Sequence, residues 1–556
     1  MARFQLLLLY LSLSLVAAQD NFAKCVNSTF DAVMTQHKGR LASAPWTSET
    51  NVDSVLQFAK GLKICAVRVN VTTNPNNTVA FEIYMPLNTT WNQRFLTVGN
   101  NAFDGGTLRL DMFAKVVHGW AVMSTNTGHE GTGLSWALNN DQAQIDWAYG
   151  AMASSVPFAK DVVAAYYGTH ANSSYYAGCS TGGRMGIRQT EVDPNSFDGM
   201  LIGAPAWNVK SAMPVISRIG WLGKNYNLFG DALVKRLALQ VYNQCNGLDG
   251  TTADLTIQDS TPCLAKFLNA DIANGSVWAG LECNGTNANC VTVQQRQAFL
   301  TIVQEFKDPN TRNTTYAGDG FGIQAIGDLT TYLTAGNLDG FDQDFARYFL
   351  PAESRGLVWD SDANGAKLIN ASNAWDARVR ANADPSKLNG WGGKVILYTG
   401  TADGLVATNG TRRVFDRAGG AGNNNLKYFE IAGMTHCVDN GNAPGGVQVP
   451  WYIGGLGLYL RPPGGTWFVA DDLKNQTFPI GTKETDALVA LVDWVERQKA
   501  APSGTTVQGP TMIAASSFDK WPSTTSVGMQ RWLCAVPKKQ HFKGGDVRDK
   551  ANWECV

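Results

Sequence analysis

Five consecutive residues of the chain, Gly178-Cys179-Ser180-Thr181-Gly182, match the pattern Gly-x-Ser-x-Gly. In this pattern, small residues two positions either side of the serine let a strand turn sharply into a helix, which exposes the hydroxyl as a nucleophile. The flanking residues fit that setting, because the strand-like SSYYAG precedes Ser180 and the helix-like GRMGIRQ follows it. The alternative is a glycine-rich turn with a solvated serine, since the chain holds 57 glycines.

A nucleophilic serine of this kind needs a histidine as base and a carboxylate that orients it, in the chain order serine, acid, histidine. His436 follows the strand-like KYFEIAGMT, whereas His541 lies in the polar stretch PKKQHFKGG, so we predict His436 as the base. Asp403 follows the strand-like VILYTG and is the predicted acid, because Asp439 is too close to His436 in the chain. The alternative for Asp403 is an aspartate that only shapes a turn.

Strand-like and helix-like segments alternate in the chain, which favours an α/β fold with a mostly parallel sheet. Strand-like runs include VAFEIYMPL, RFLTV and FDGMLIG, and residues 142–167 have the apolar spacing of a helix. Residues 207–390 differ, because they are rich in Asn, Asp, Gly and Thr and contain helical pieces and a cluster of cysteines. We therefore predict an α/β core made of residues 19–206 and 391–556, into which residues 207–390 are inserted as a lid domain.

Charge and the N-terminal residues bound the class of protein. The 556 residues carry a formal net charge of −1 and are only 16% charged, which disfavours binding to nucleic acid or to a membrane surface. The chain starts with Arg3 in a short positive region, an apolar run and small residues ending at Ala18. These features predict a secretory signal peptide over residues 1–18, with an apolar run too short to span a membrane. We expect a secreted, extracellular protein without membrane or nucleic-acid partners.

The sequence contains eleven Asn-x-Ser/Thr sequons. In a secreted eukaryotic protein, several of them would be glycosylated surface loops, although a chain rich in Asn and Thr also forms sequons by chance. Their asparagines are Asn27, Asn70, Asn76, Asn88, Asn172, Asn274, Asn284, Asn313, Asn370, Asn409 and Asn475.

The ten cysteines are expected to form disulfides in a secreted protein. Short spacings favour four pairs, which are Cys245–Cys263, Cys283–Cys290, Cys534–Cys555 and, less strongly, Cys25–Cys65. Cys179 and Cys437 remain, next to Ser180 and His436, and a bond between them would tie the loops of the nucleophile and the base together. The alternatives are two buried free cysteines or a cysteine nucleophile, and the spacing of the cysteines and histidines does not suit zinc.

Cys179-Ser180, Asp403 and His436-Cys437 together resemble the CS-D-HC pattern of the tannase and feruloyl esterase family of fungi and bacteria. The set GCSTGGR, GAPA and GMTHC and the C-terminal stretch from Cys534 resemble that family as well. The resemblance covers most of the mature chain and is weakest over residues 265–390. It implies an α/β-hydrolase fold with a lid and the hydrolysis of phenolic-acid esters, such as those on plant cell-wall polysaccharides, without a catalytic cofactor.

The acyl-transfer mechanism also requires an oxyanion hole. Its first donor would be the backbone N–H of Thr181, directly after the nucleophile. The second donor would come from residues 99–106, where Asn100 is the candidate, although this stretch is less glycine-rich than in the family.

The family often binds calcium in the loop that follows Cys245, where closely spaced oxygen ligands suit Ca²⁺. The aligned positions are Asn246, Asp249, Thr251, Ala253 and Leu255, with Asp254 shifted by one. Because the family's acidic first residue is Asn here and its third aspartate is Ala, a plain Asp/Gly turn is the alternative to a structural calcium.

The motif GCSTGGR is closer to the feruloyl esterase form than to the tannase form, in which an acidic residue is expected in place of Thr181. The leading hypothesis is therefore a serine esterase for feruloyl and other hydroxycinnamoyl esters, and the second is a tannase that hydrolyses galloyl esters. Two further hypotheses are a binding protein on a hydrolase scaffold that has no turnover, and a peptidase.

Overall fold

The computed structural model describes residues 21–47, 63–75, 77–228, 231–247, 251–252, 256–269, 277–283, 290–304, 306–309, 311, 343–437, 451–453, 482–520 and 523–556. The predicted signal peptide, residues 1–18, lies outside these ranges. Among the helices of the described residues, none combines the length and the apolar character needed to cross a membrane.

The strands are β1 Gly39–Leu41, β2 Trp46–Thr47, β3 Ile64–Asn74, β4 Asn77–Pro86, β5 Arg94–Val98, β6 Ala121–Thr125, β7 Ser173–Cys179, β8 Gly199–Gly203, β9 Lys394–Gly400, β10 Leu426–Ile431, β11 Trp451–Tyr452, β12 Met512–Lys520, β13 Ser523–Leu533, β14 Gln540–Phe542 and β15 Trp553–Cys555. The α-helices are α1 Asn27–Gln36, α2 Arg109–Val116, α3 Asp141–Ile145, α4 Ala151–Tyr167, α5 Thr181–Val192, α6 Val209–Asn225, α7 Asp231–Cys245, α8 Ser260–Leu268, α9 Val293–Val303, α10 Gln343–Tyr348, α11 Asp362–Val379, α12 Thr408–Arg417 and α13 Ala487–Ala500. A π-helical turn, Asp146–Gly150, joins α3 to α4.

The main sheet has the strand order β1-β3-β4-β6-β5-β7-β8-β9-β10, with β2 paired to β3. Strands β6, β5, β7, β8, β9 and β10 run parallel, whereas β1 to β4 pair antiparallel at the other edge. The parallel strands β7, β8 and β9 are buried along their whole length, as expected when helices cover both faces of a sheet. The sheet and its helices form the α/β-hydrolase fold predicted from the sequence.

Two hydrophobic cores lie on opposite faces of this sheet. Successive side chains of a strand point to opposite faces, and Tyr176 of β7 belongs to one core while Tyr175 and Ala177 belong to the other. Helices α4 and α5 contribute to the first core, and α2 and α13 contribute to the second. The sheet is therefore the middle layer of three, and only the loops at the ends of its strands are free to build a site.

The segment that follows β8 adds a third apolar cluster. Helices α6 and α11 pack against each other, and their residues Met213 and Trp375 join Phe103 and Trp147 of the preceding half of the chain in this cluster. The structure thus places residues of the segment 207–390 against the loop after β5. Whether that segment is a separate inserted domain stays a prediction.

Candidate active site

Ser180 lies on the sharp turn between β7 and α5. Its backbone angles are φ 60° and ψ −124°, in the region of positive φ that residues other than glycine rarely adopt. The turn is held by the Ser180 N–H, which donates to the carbonyl of Gly203 at 3.0 Å, and by the Ser180 carbonyl, which accepts from Ala206 at 3.0 Å. This strained strand-to-helix turn is the local geometry that the Gly-x-Ser-x-Gly motif predicts.

The two glycines of the motif are required by close backbone contacts. A Cβ atom on Gly178 would lie 2.7 Å from the carbonyl carbon of Gly182, and one on Gly182 would lie 2.9 Å from the backbone oxygen of Asn100. The turn after β7 is therefore packed directly against itself and against the loop after β5. Any larger residue at either position would push Ser180 away from that loop.

Asp403 lies after β9 and its side chain is fully buried. One carboxylate oxygen, Oδ1, accepts hydrogen bonds from the backbone N–H groups of Leu405 at 2.9 Å and Val406 at 2.7 Å. The other oxygen, Oδ2, lies 2.8 Å from Nδ1 of His436. Both oxygens of Asp403 are thus held in place, and one of them faces the imidazole.

His436 lies in the loop after β10, and its side chain is only 9% exposed. Because an ionised carboxylate accepts hydrogen bonds, Nδ1 of His436 carries the proton in the contact with Asp403, which leaves Nε2 as the basic nitrogen. The loops after β9 and β10 also touch at Gly400, where a Cβ atom would lie 2.0 Å from the carbonyl oxygen of Met434. The adjacent strands therefore deliver the acid and the histidine to the same edge of the sheet.

A disulfide joins Cys179 to Cys437, with their Cα atoms 5.7 Å apart. Since Ser180 and His436 are each one residue from a bonded cysteine, their Cα atoms lie within about 13 Å of each other. The structure contains four more disulfides, so all ten cysteines are paired. These are Cys25–Cys65, Cys245–Cys263, Cys283–Cys290 and Cys534–Cys555, the same pairs that the sequence predicts.

Tyr398, which no local sequence signal marks, contacts the same site from inside the sheet. Its hydroxyl donates to the carbonyl of Cys437 at 3.1 Å, and a Cβ atom on the neighbouring Gly203 would lie 2.4 Å from that hydroxyl. Burial raises the pKa of Tyr398 well above its usual value, so the hydroxyl stays a donor at any physiological pH. Cys437 has a positive φ of 66°, and the hydrogen bond from Tyr398 supports this unusual backbone next to His436.

The N–H of Thr181 is the first of α5. It forms no hydrogen bond within the described residues, as expected for the first turn of a helix. It lies at the N-terminus of the helix, which is the positive end of the helix dipole. It is available to an oxyanion. The role of Asn100 stays a prediction, and only its backbone N–H could fill it, because its side-chain amide already donates to the carbonyls of Gly106 at 3.0 Å and Thr125 at 2.8 Å.

A pocket of about 510 Å³, including the space at its open mouth, begins at Ser180 and Thr181. The described side chains that line it are otherwise apolar. They are Ala102, Phe103, Trp147, Ala206, Val209, Ala212, Met213, Ile216, Leu405 and Val406. The ring of Trp147 stacks on Phe103 with centroids 4.9 Å apart. The pocket can take an apolar or aromatic group beside the hydroxyl of Ser180.

The predicted calcium ligands fall only partly on the described residues. Asn246 and Thr251 are described, whereas Asp249, Ala253, Asp254 and Leu255 lie outside the described ranges. The amide nitrogen of Asn246 donates to the carbonyl of Thr252 at 2.8 Å, while its Oδ1 is buried and accepts no hydrogen bond from the described residues. A buried amide oxygen without a donor fits a cation ligand.

The chain matches the family model of tannase and feruloyl esterase over residues 65–338 and 360–556. It is 27% identical over 525 residues to a probable feruloyl esterase B-1 of Aspergillus terreus, covering 89% of this chain and 86% of that protein. Feruloyl esterase B of Aspergillus niger is 26% identical over 534 residues, covering 92% of this chain and 90% of that protein.

Two solved structures have a similar fold. The crystal structure of feruloyl esterase B from Aspergillus oryzae is 23% identical, with a TM-score of 0.75 over 96% of this chain and 100% of that chain. The tannin acyl hydrolase from Aspergillus niger is 19% identical, with a TM-score of 0.62 over 93% of this chain and 90% of that chain. At these identities the likeness shows the fold alone.

Proposed function

Because the chain belongs to the tannase and feruloyl esterase family and is a carboxylic ester hydrolase, we propose that it hydrolyses feruloyl and other hydroxycinnamoyl esters through an acyl-enzyme. Ser180 is the nucleophile, His436 the general base and Asp403 the carboxylate that orients the base. The observation that carries this proposal is the 2.8 Å contact between Asp403 and His436, in a loop bonded by a disulfide to the turn of Ser180.

In the proposed reaction, Nε2 of His436 takes the hydroxyl proton of Ser180 while Oγ attacks the ester carbonyl carbon. The oxyanion that forms is stabilised by the backbone N–H of Thr181 and by a second backbone N–H from the loop after β5. His436 then gives the proton to the departing alkoxide, so that the alcohol leaves and the acyl group stays on Ser180. Water repeats the sequence, and the free phenolic acid is released.

The apolar pocket favours hydroxycinnamoyl over galloyl groups. Trp147, Phe103 and Met213 offer a surface for an aromatic ring, and none of the described lining residues carries a charge. A galloyl ring has three phenolic hydroxyls, and each hydroxyl buried without a partner costs about 1–3 kcal/mol. A feruloyl ring carries one free hydroxyl and a methoxy group, so it loses less on entering this pocket. Hydroxycinnamoyl esters, such as those on plant cell-wall polysaccharides, are the proposed natural substrates.

Two measurements test the proposal. Ser180→Ala is expected to abolish the hydrolysis of methyl ferulate and of an activated phenolic ester, and substantial remaining activity would remove Ser180 as the nucleophile. A comparison of kcat/KM on methyl ferulate and methyl gallate tests the acyl group. Faster turnover of the gallate would favour a tannase instead.

We also propose that the protein is secreted and glycosylated. The apolar N-terminal segment and the five disulfides support secretion, since such bonds persist in oxidising compartments. Among the described sequons, Asn27, Asn88, Asn172 and Asn370 are exposed, whereas Asn70 and Asn409 are half-buried. Peptide mapping of protein secreted by a fungal host should find an N-terminus after Ala18 and glycans on exposed asparagines.

We also propose that a structural calcium ion binds in the loop after Cys245. The Oδ1 of Asn246, which accepts no hydrogen bond from the described residues, supports it, and Asp249 would supply the carboxylate that a hard cation prefers. The ion would bind loop oxygens next to the disulfide Cys245–Cys263 and would take no part in the ester chemistry. Thermal unfolding with added Ca²⁺ and with a chelator tests this, and Asn246→Ala is expected to remove the difference between the two.

A further inference from the structure

Arg184 is fully buried on α5, one helical turn after Ser180. Its guanidinium donates to three backbone carbonyls, from Nη1 to Ala148 at 2.8 Å and to Ala381 at 2.9 Å, and from Nη2 to Trp147 at 3.4 Å. Among the described residues no carboxylate accepts a hydrogen bond from it. A buried cation that no carboxylate contacts directly is costly, so a structural or functional reason for keeping it is expected.

The carbonyls that Arg184 binds lie where helical hydrogen bonding is interrupted. Trp147 and Ala148 belong to the π-helical turn Asp146–Gly150, and Ala381 follows the end of α11. A π turn shifts the regular backbone pairing, and such turns occur frequently at functional sites. The planar guanidinium presents several donors in one fork, so a single side chain can bind carbonyls from two separate segments.

Arg184 also contacts the wall of the pocket. Its guanidinium carbon lies 4.2 Å from the centroid of the Trp147 ring, in a cation–π contact. The same ring stacks on Phe103 and donates from its Nε1 to the carbonyl of Ala102 at 3.3 Å. Its centroid also lies 6.4 Å from that of Trp136 and 6.0 Å from that of Phe349. Trp147, Phe103 and Ser180 line the same pocket. The backbone and the ring of Trp147 are therefore both held by a residue on the helix of the nucleophile.

We propose that Arg184 is a positioning residue for the acyl group, which holds Trp147 at a fixed place relative to Ser180 and so sets the shape of the acyl pocket. This rests on the proposed function, in which Ser180 is acylated and the apolar pocket holds the acyl group. Arg184 itself touches neither the ester nor the reacting atoms.

The test compares an ester whose acyl group reaches Trp147 with an ester whose acyl group does not. Arg184→Lys keeps a cation but loses the fork, and Arg184→Met keeps a long side chain without donors. For both variants we expect KM for methyl ferulate to rise about tenfold, while kcat/KM for p-nitrophenyl acetate changes less than about threefold, because an acetyl group fills little of the pocket. A merely structural role would lower the rates on both esters by the same factor, through the folded fraction.

Arg188→Met is the matched control. Arg188 lies one turn further along α5, is also buried, and places its guanidinium 4.8 Å from the ring of Tyr149, which is not among the pocket-lining residues. It pairs with Glu191. Its substitution is expected to lower stability and to leave the ratio of the two kcat/KM values unchanged.

Trp147→Leu keeps the proposal testable if the Arg184 variants do not fold. It removes the ring that Arg184 holds, so it should raise KM for methyl ferulate in the same selective way. If Arg184→Lys does fold, its effect and that of Trp147→Leu should be less than additive in the double variant. An unchanged ratio of the two esters in Trp147→Leu, or in the folded Arg184 variants, overturns the role of Arg184. If Ser180→Ala still hydrolyses both esters, the proposed function fails instead.

Discussion

Cys179 and Cys437 form a disulfide that joins the residue before Ser180 to the residue after His436, across 258 positions of the chain. A bond over so long a loop restricts the unfolded chain by up to about 5 kcal/mol in the chain-entropy model. In the native state it fixes the distance between the loops of the proposed nucleophile and base. We therefore expect this bond to affect both stability and activity.

Replacing both Cys179 and Cys437 with Ser should lower the free energy of unfolding by about 2–5 kcal/mol and lower kcat at least tenfold. Denaturant unfolding and kinetics on methyl ferulate measure the two effects. The control is the double Ser variant of Cys25 and Cys65, whose bond lies at the antiparallel edge of the sheet, between the start of α1 and β3. That variant should lose stability, but its kcat should be unchanged when it is measured well below its melting temperature. Equal losses of kcat in the two variants would contradict the prediction.

Asp403→Asn should lower kcat by about 10³–10⁴ and leave the fold intact. The backbone N–H groups of Leu405 and Val406 hold the Oδ1 side of the group, so the amide NH₂ of the new Asn would face Nδ1 of His436. Nδ1 must then accept, the ring proton moves to Nε2, and the base can no longer take a proton from Ser180.

The activity of Asp403→Asn is measured with p-nitrophenyl acetate and compared with that of Asp493→Asn. Asp493 is a partly exposed carboxylate on α13 that pairs with Arg497. The control should keep full activity. An Asp403→Asn enzyme within tenfold of the wild-type kcat would mean that His436 is oriented by another group.

Tyr398→Phe should lower kcat several-fold without changing KM, because the hydroxyl supports the backbone beside His436 and does not touch the acyl pocket. The lost hydrogen bond is expected to cost about 1 kcal/mol or more of stability, since it leaves the Cys437 carbonyl unpaired. Tyr167→Phe is the control, because that hydroxyl also donates to a backbone carbonyl, of Pro86 at 2.6 Å, away from the site. Both variants are expected to lose a similar amount of stability, whereas only Tyr398→Phe should have a lower kcat. An unchanged kcat in Tyr398→Phe would rule out the positioning role.

The candidate triad could be predicted from the sequence because each of its residues follows a local signal. Ser180, Asp403 and His436 each come after a short apolar run, and the structure places those runs as β7, β9 and β10 of the parallel half of the sheet. The carboxyl ends of parallel strands lie at the same edge, so local patterns suffice to bring the three loops together. The glycines of the motif are read in the same local way.

The roles of Tyr398 and Arg184 could not be predicted from the sequence, since nothing in the neighbouring residues of the chain indicates their partners. Tyr398 is one apolar residue of a buried strand, and the carbonyl it binds lies 39 positions away. Arg184 binds a carbonyl 197 positions away, and the π turn at Asp146–Gly150 interrupts a stretch whose spacing predicts one helix. The antiparallel pairing of β3 with β4 adds an edge to the predicted mostly parallel sheet, and the strand patterns alone do not specify this edge, since it depends on the turn and the register.

His129, which is buried behind the loop after β5, should make the stability of the fold depend on pH. Its Nε2 donates to the carbonyl of Phe103 at 2.9 Å, and its ring stacks on Trp136 with centroids 3.8 Å apart. Burial lowers the pKa of His129 to about 4 from its ordinary value of 6.5. Between these two pH values the unfolded chain binds a proton that the native state does not. The stability is therefore complete above about pH 6.5 and falls as the pH drops towards 4, by up to about 3 kcal/mol.

His129→Gln removes this titrating group, so the variant should be less stable at pH 7 and should lose about 2–3 kcal/mol less than the wild type between pH 7 and pH 4.5. Denaturant unfolding at the two pH values measures the difference. His170→Gln, at an exposed histidine, serves as the control and should follow the wild-type pH dependence. Parallel pH dependences for His129→Gln and the wild type would show that His129 takes up its proton as readily in the native state as in the unfolded chain. Phe103 would then be held beside the acyl pocket by contacts that do not depend on a neutral imidazole.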